Sequence, residues 1–245
     1  MGSQQQITLF DLPSKEPNGT WSLNPWKTRL LLNYKGLDYK TEWLHYPEIA
    51  PRLKPHLPPN ETGTAYTIPA ILFPDGTYLM DSAKIAAAIE KRYPSPPAHL
   101  SSPIVSKIER LTVETITPLY PILMHKLSQV IMTDKDYDYW VGQHTRRLGM
   151  PLDEYERQAG GEKAWIAAQP ALSELTGLLK ERQAEGPFFL GGEVSYADFV
   201  WVGCLAFVRR VDEGVFRELL ERSGAREVHE RLLEACEPWL KRNDY

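Results

Sequence analysis

Pro94-Ser95-Pro96-Pro97 divides this chain more firmly than any other stretch. Each proline lacks a backbone donor and holds the residue before it extended, so neither a helix nor a paired strand runs through. Stiff breakers of this kind stand at domain boundaries. Before it, apolar residues alternate between strand and helix spacing; after about residue 103 they follow helical spacing alone. At 245 residues the chain is long enough for two modest domains with a core each. The expected organisation is residues 1–94 as an α/β domain of order βαβ-ββα and residues 103–245 as an all-helical domain.

In the first part, Ile7 to Leu12 is a short strand-like run ended by Pro13, and Ser14 to Thr20 reads as a loop. A helix fits Pro25 to Lys35, with Asn24 as its cap, Pro25 where a missing N–H costs nothing, and Gly36 just past the end. Tyr39 to Tyr46 alternates as a second strand, completing a βαβ unit. The prolines at 47, 51, 55, 58 and 59 make Pro47 to Gly63 too interrupted for a long regular helix, an irregular excursion with room for one helical turn. Tyr66 to Ser82 follows as a β-hairpin: Pro69 opens an apolar run, Pro74-Asp75-Gly76 turns it, and Asp81-Ser82 starts a helix that continues to Tyr93.

The second part carries helical spacing over Ile104 to Thr117, Leu119 to Met132, Asp153 to Ala168, Pro170 to Ala184, Tyr196 to Val211, Val215 to Arg222 and Arg226 to Leu240. One helix start is sharply written. In Val194-Ser195-Tyr196-Ala197-Asp198-Phe199, Ser195 and Asp198 form a capping box and Val194 can staple onto Phe199.

The formal charge of −4 shows no basic excess to neutralise phosphates, so no nucleic-acid partner is expected. No uninterrupted apolar run approaches the roughly 20 residues that span a bilayer, so no membrane partner is expected either. The N-terminal Met-Gly-Ser-Gln-Gln-Gln lacks the charged and apolar regions of a secretory signal, which makes a cytoplasmic location the default. Cys204 and Cys236 have neither metal-like nor Cys-x-x-Cys spacing and read as buried, inert thiols. The six histidines are scattered without a His-x-x-x-His pair, so no metal site is expected.

A βαβ-ββα unit with Ile-Pro opening its third strand and Asp-Ser opening its last helix, followed by helices bearing this capping box, resembles the cytosolic glutathione transferases over nearly the whole chain. Trp26-Lys27-Thr28-Arg29 and Asn33-Tyr34-Lys35-Gly36-Leu37 most resemble the fungal-specific A class and the bacterial glutathione-dependent β-etherases. The resemblance implies a thioredoxin-like first domain, glutathione as co-substrate, an apolar or aromatic electrophile held by the helical domain, and a homodimer. It also implies a cis Ile68-Pro69 bond, which leaves the Ile68 N–H and C=O to pair with a peptide strand. Asp81 and Ser82, at a helix start, offer a carboxylate for an ammonium and N–H groups for an anion, which suits a γ-glutamyl head. Lys54 and Arg52 in the excursion are candidates for the glycyl carboxylate.

A glutathione thiol with a pKa near 8.5 is only about 3% thiolate at neutral pH, so a group must stabilise the anion. The family uses a Tyr, Ser or Cys near the first strand or helix. No Tyr precedes Tyr34 and no Cys precedes Cys204, so Ser22 is the expected hydroxyl. Leu23 stands where a proline commonly follows that serine, which keeps Asn24 as an alternative donor; Ser14 is a third candidate. Tyr120, Met124 and His125 are candidate lining of the electrophile pocket. Three functions stay open: conjugation of apolar electrophiles, ether cleavage or a lyase reaction, and carriage of aromatic metabolites with little turnover.

Overall fold

β1 (Ile7–Asp11) is buried along its whole length in the computed structural model, which describes residues 6–244. Its apolar run suits the centre of a sheet covered on both faces. It pairs in parallel with β2 (Tyr39–Trp43), Leu9 lying opposite Thr41, and antiparallel with β3 (Ala70–Leu72), Leu9 opposite Ile71. β4 (Tyr78–Met80) pairs with β3 and completes the order β2-β1-β3-β4. The hairpin turns at Gly76, whose φ of +86° only glycine adopts freely; its N–H bonds the Phe73 carbonyl at 2.9 Å. Helices α1 (Leu23–Tyr34), α2 (Tyr46–Leu53) and α3 (Ser82–Arg92) complete the βαβ-ββα order expected of the first domain.

Two local expectations need correction. α1 starts two residues before Pro25, because the Trp26 N–H closes on the Ser22 carbonyl at 3.1 Å; the cap position is therefore Ser22, not Asn24. The excursion also contains a full two-turn helix, α2. Pro47 lies in its first turn, and the Glu48 carboxylate turns back to the His45 N–H at 3.1 Å. Pro51 sits inside it, so an eight-residue helix here tolerates one missing donor.

The remaining elements are helical: α4 (Pro103–Ile116), a 3-10 turn at Thr117–Leu119, α5 (Tyr120–Val130), α6 (Asp134–Leu148), α7 (Leu152–Ala159), α8 (Glu162–Glu181), α9 (Tyr196–Val211), α10 (Glu213–Arg222) and α11 (Arg226–Leu240). α6 escapes the sequence pattern because only Asp136 and Trp140 are buried on it, too few to write an apolar stripe. The break expected at Pro170 falls instead at Gly160-Gly161, where Gly161 has φ +70°. α8 runs through Pro170; Ile166, whose carbonyl loses its partner there, is 65% exposed and open to water.

α9 is the buried axis of the second domain and packs against α1 of the first. A Cβ on Gly203 would lie 3.1 Å from Trp26 Cβ and 3.3 Å from the Leu23 carbonyl oxygen, so this glycine lets the start of α1 approach α9. The proline linker is fastened from α1: Lys35 Nζ donates to the carbonyls of Tyr93 and Pro96, each at 2.7 Å, and pairs with Glu90 at 2.7 Å. The capping box forms as expected, with Asp198 accepting from the Ser195 N–H at 2.7 Å and the Phe189 N–H at 2.9 Å.

A buried histidine links α8, α9 and α11. Trp201 Nε1–H donates to His229 Nδ1 at 3.0 Å, so His229 carries its proton on Nε2 and gives it to Thr176 Oγ1 at 2.9 Å. Protonating Nδ1 would set two donors face to face, and burial lowers the imidazole pKa to about 4. The unfolded chain titrates near 6.5, so this contribution to stability is complete above that pH and is lost as pH falls toward 4. The linked loss amounts to about 3 kcal/mol. Urea midpoints measured from pH 7 to 4 are expected to fall over this window in the wild type and to flatten in His229→Gln. An unchanged slope in the variant would remove His229 from the acid response.

Candidate active site

The loop from β1 to α1 sets the position of Ser22. Asp11 and Arg29 form an ion pair at 3.0 Å with both side chains fully buried. The other Asp11 bonds hold the strand end and the loop: Oδ1 accepts the Leu12 N–H at 2.7 Å and Oδ2 the Thr20 hydroxyl at 2.7 Å. Arg29 also reaches Thr41 Oγ1 on β2 at 2.9 Å. Trp21 Nε1–H closes on the Pro13 carbonyl at 3.1 Å. Ser22 thus follows a segment tied to the sheet at both ends.

Ser22 is half-buried and Asn24 exposed, and neither side chain bonds another described residue. The N–H groups of Leu23 and Asn24 are also unpaired among the described residues, Pro25 has none, and no acidic residue lies in the first turn. The positive end of the α1 dipole is therefore left for an external anion. Ser14, the third candidate, is buried and occupied: its hydroxyl donates to the Lys15 carbonyl at 3.0 Å and accepts the Gly19 N–H at 3.3 Å.

Asp81 takes φ +81°, ψ +119°, a conformation that non-glycine residues rarely hold. Its Oδ1 accepts the Ala83 N–H at 2.9 Å, while its other oxygen bonds no described residue. Helix cap and ligand contact are thus compatible on one carboxylate. The Ser82 hydroxyl and the N–H groups of Ser82 and Lys84 are likewise unpaired among the described residues. The Ser82 carbonyl accepts the Tyr196 hydroxyl at 3.3 Å, which ties this corner to α9. Burial raises the Tyr196 pKa, which keeps that donor protonated. The Ile68-Pro69 peptide is cis, and neither the N–H nor the C=O of Ile68 bonds another described residue.

A cleft of about 1060 Å³ gathers Ile68, Pro69, Asp81 and Ser82 with Asn24 at one end. Lys54 is not among its lining residues; it is exposed at the C-terminal end of α2. Arg52 is committed elsewhere, to Glu42 at 2.7 Å, to the Tyr78 hydroxyl at 3.2 Å and over the Phe10 ring at 4.7 Å. The cation that does line the cleft is Lys84, in the first turn of α3, together with Asn60 and Thr67. Sequence reasoning missed these three, and the helix start at Ser82 was the one available hint that Lys84 projects there.

A second cavity of about 270 Å³ lies between the domains, lined by Ser22 and Asn24 on one side and by Tyr46, Tyr120, Trp140 and Phe207 on others. Tyr120 and Met124 line it as expected. His125 does not; it faces Glu156 on α7 at 3.2 Å. α6, absent from the sequence reading, contributes Trp140, His144 and Arg147. Its Asp136 closes the wall by accepting the Tyr46 N–H at 2.7 Å and meeting His45 Nδ1 at 2.8 Å. The two cysteines stay out of this chemistry: burial pushes Cys204 up to about 12 and Cys236 well above its ordinary value.

Models of the glutathione S-transferase N-terminal and C-terminal domains match residues 21–92 and 108–239. The glutathione S-transferase-like protein ustS of Aspergillus flavus is 31% identical over 237 residues, which cover 89% of this chain and 86% of that protein. Glutathione transferase GSTFuA3 from Phanerochaete chrysosporium superposes with a TM-score of 0.85 at 24% identity, over 97% of this chain and 98% of that one. CsGST83044 of Ceriporiopsis subvermispora, solved in complex with glutathione, gives a TM-score of 0.79 at 28% identity over 96% and 99% of the two chains. With both domains matched in order and a relative aligned over most of its length, the chain belongs to the glutathione S-transferase family, in the company of fungal members.

Proposed function

We propose that this chain is a serine-type transferase that binds glutathione in the larger cleft, holds its thiolate at Ser22 and directs it at an apolar or aromatic electrophile in the smaller cavity. The observation that carries this reading is Asn24, which among the described residues is alone in lining both spaces. Sulfur and electrophile therefore meet at the start of α1. The γ-glutamyl ammonium goes to the free Asp81 oxygen and its carboxylate to the Ser82 hydroxyl and the N–H groups of α3. The cysteinyl backbone pairs with Ile68, and the thiolate faces Ser22, Asn24 and the open end of the α1 dipole. Lys84 is a further cation within the cleft; Lys54 is the alternative partner for the glycyl carboxylate only if the peptide extends past the cleft's lining. A homodimer belongs to the same reading, and sedimentation equilibrium checks it.

Calorimetric titration with glutathione tests the cleft. Asp81→Asn keeps a cap acceptor and a residue type that tolerates positive φ, but removes the charge. Losing a charged hydrogen bond to the ammonium is expected to weaken binding by about tenfold or more. An unchanged Kd would take Asp81 out of the site, and no binding by the wild type would remove the cofactor reading altogether. Parallel assays with an aryl halide and an aryl ether separate conjugation from ether cleavage. Tight aromatic binding without turnover of either would favour the carrier.

A further inference from the structure

The smaller cavity carries more information than "apolar". Its walls are five aromatic rings, from Trp21, Tyr46, Tyr120, Trp140 and Phe207, with aliphatic side chains between them. Among the described residues no carboxylate lines it. Asp136, just behind Tyr46, is consumed by the Tyr46 N–H, His45 and the Thr133 hydroxyl at 2.7 Å. His144 packs against Trp140 with ring centroids 3.9 Å apart and planes tilted by 32°, and gives its Nδ1–H to the Trp140 carbonyl at 2.8 Å. Burial lowers its pKa, helped by the Arg147 charge, so it stays neutral. Tyr120 is half-buried, and its loss of solvation raises its pKa and keeps its hydroxyl protonated. Among the described residues Arg147 is the one full charge on the lining; it is exposed at the cavity's edge and forms neither an ion pair nor a hydrogen bond with any of them.

A guanidinium at the edge of an aromatic box, with no acid to answer it, is complementary to an aromatic ring that brings its own anion. Its planar fork suits a carboxylate, which it can bind through two parallel hydrogen bonds. A volume of about 270 Å³ falls below the usual range for drug-sized ligands, which leaves room for about one ring with short substituents. We propose that this cavity selects one-ring aromatic electrophiles bearing a carboxylate, with the ring between the aromatic walls and the carboxylate on Arg147. The proposal rests on the transferase reading for its chemistry but not for its binding. In the step itself the glutathione sulfur forms a C–S bond at the ring carbon, and the leaving group, chloride in the probe below, departs with the C–Cl electron pair; nothing is oxidised or reduced.

The test uses 4-chloro-3-nitrobenzoate against 4-chloro-3-nitrobenzamide, which match in size and differ in charge; the amide activates the ring more, so the change in their ratio between wild type and variant is what is read. The ratio of their kcat/KM values is expected to fall about tenfold from wild type to Arg147→Gln and to recover in part in Arg147→Lys. Binding of the benzoate without glutathione, read by quenching of tryptophan fluorescence, is expected to weaken by a similar factor in Arg147→Gln. Equal ratios and equal benzoate affinity in wild type and variant overturn the proposal and leave the transferase reading standing. Arginine-dependent benzoate binding with no turnover of either arene upholds the proposal and overturns the transferase reading instead.

Discussion

Replacing Ser22 with alanine is expected to lower kcat/KM for an aryl halide by about 10- to 25-fold at pH 7, with little change in stability. The ceiling follows from thiol ionisation. Bringing a pKa of about 8.5 down by ~2 units raises the thiolate fraction from about 3% to about three quarters. Losing the hydroxyl donor gives back part of that gain. The unpaired N–H groups of Leu23 and Asn24 and the α1 dipole remain, so some activation survives. In a pH profile of kcat/KM the acidic limb is expected to move upward toward 8.5, and the thiolate absorbance of the bound cofactor at pH 7 to shrink. Stability is spared because Ser22 stands at the cap position without a side-chain cap bond, so the usual loss on removing a capping serine does not apply. Asn24→Ala is the control. A large kinetic loss there, with Ser22→Ala unaffected, would transfer the donor role to Asn24.

Arg29→Met is expected to destabilise the protein by about 3–5 kcal/mol. Asp11 and Arg29 are both at 0% exposure, so removing the guanidinium strands a carboxylate away from water with Leu12 N–H and the Thr20 hydroxyl as its remaining donors among the described residues. Arg29 also packs against aromatic rings, lying 5.6 Å from Tyr39 and 5.5 Å from Trp43. For a chain of this size the loss corresponds to a Tm lower by roughly 10 °C. The double variant Asp11→Leu with Arg29→Met is expected to recover much of it, since a matched apolar pair has no stranded charge. Chemical denaturation of the two variants against wild type checks both statements. A double variant as unstable as the single one would mean that the hydrogen bonds to Thr20 and Thr41, rather than the charge, hold the β1 to α1 loop.

Local signals in the sequence were reliable where one residue type had one physical reason to be where it is. The Ser195 to Asp198 box gave the start of α9 at Tyr196, and the helix over Arg226–Leu240 matched its apolar spacing. Pro69 and Gly76 located the hairpin, and Asp81 and Ser82 the start of α3. Proline misled where it was read as a stop. α2 carries Pro51 and α8 carries Pro170, because a single missing donor is tolerated when the freed carbonyl can meet water or the helix is held by its packing. α6 was lost for the opposite reason: with little apolar surface it has no periodic stripe, yet it supplies three residues to the smaller cavity.

The βαβ-ββα order, the helical second part, and the candidacy of Ser22, Asn24, Ile68, Pro69, Asp81 and Ser82 were determined by sequence alone. They rest on backbone donors, turn residues and caps, which act within a few positions along the chain. Tertiary structure decided which of these groups are left unpaired, that Asn24 borders both spaces, that Lys84 rather than Lys54 lines the larger cleft, and that Arg147 lines the smaller cavity with no acid among the described lining residues. Those properties depend on what packs against a residue from distant elements. No spacing along the chain records whether a charge finds its partner or waits for one.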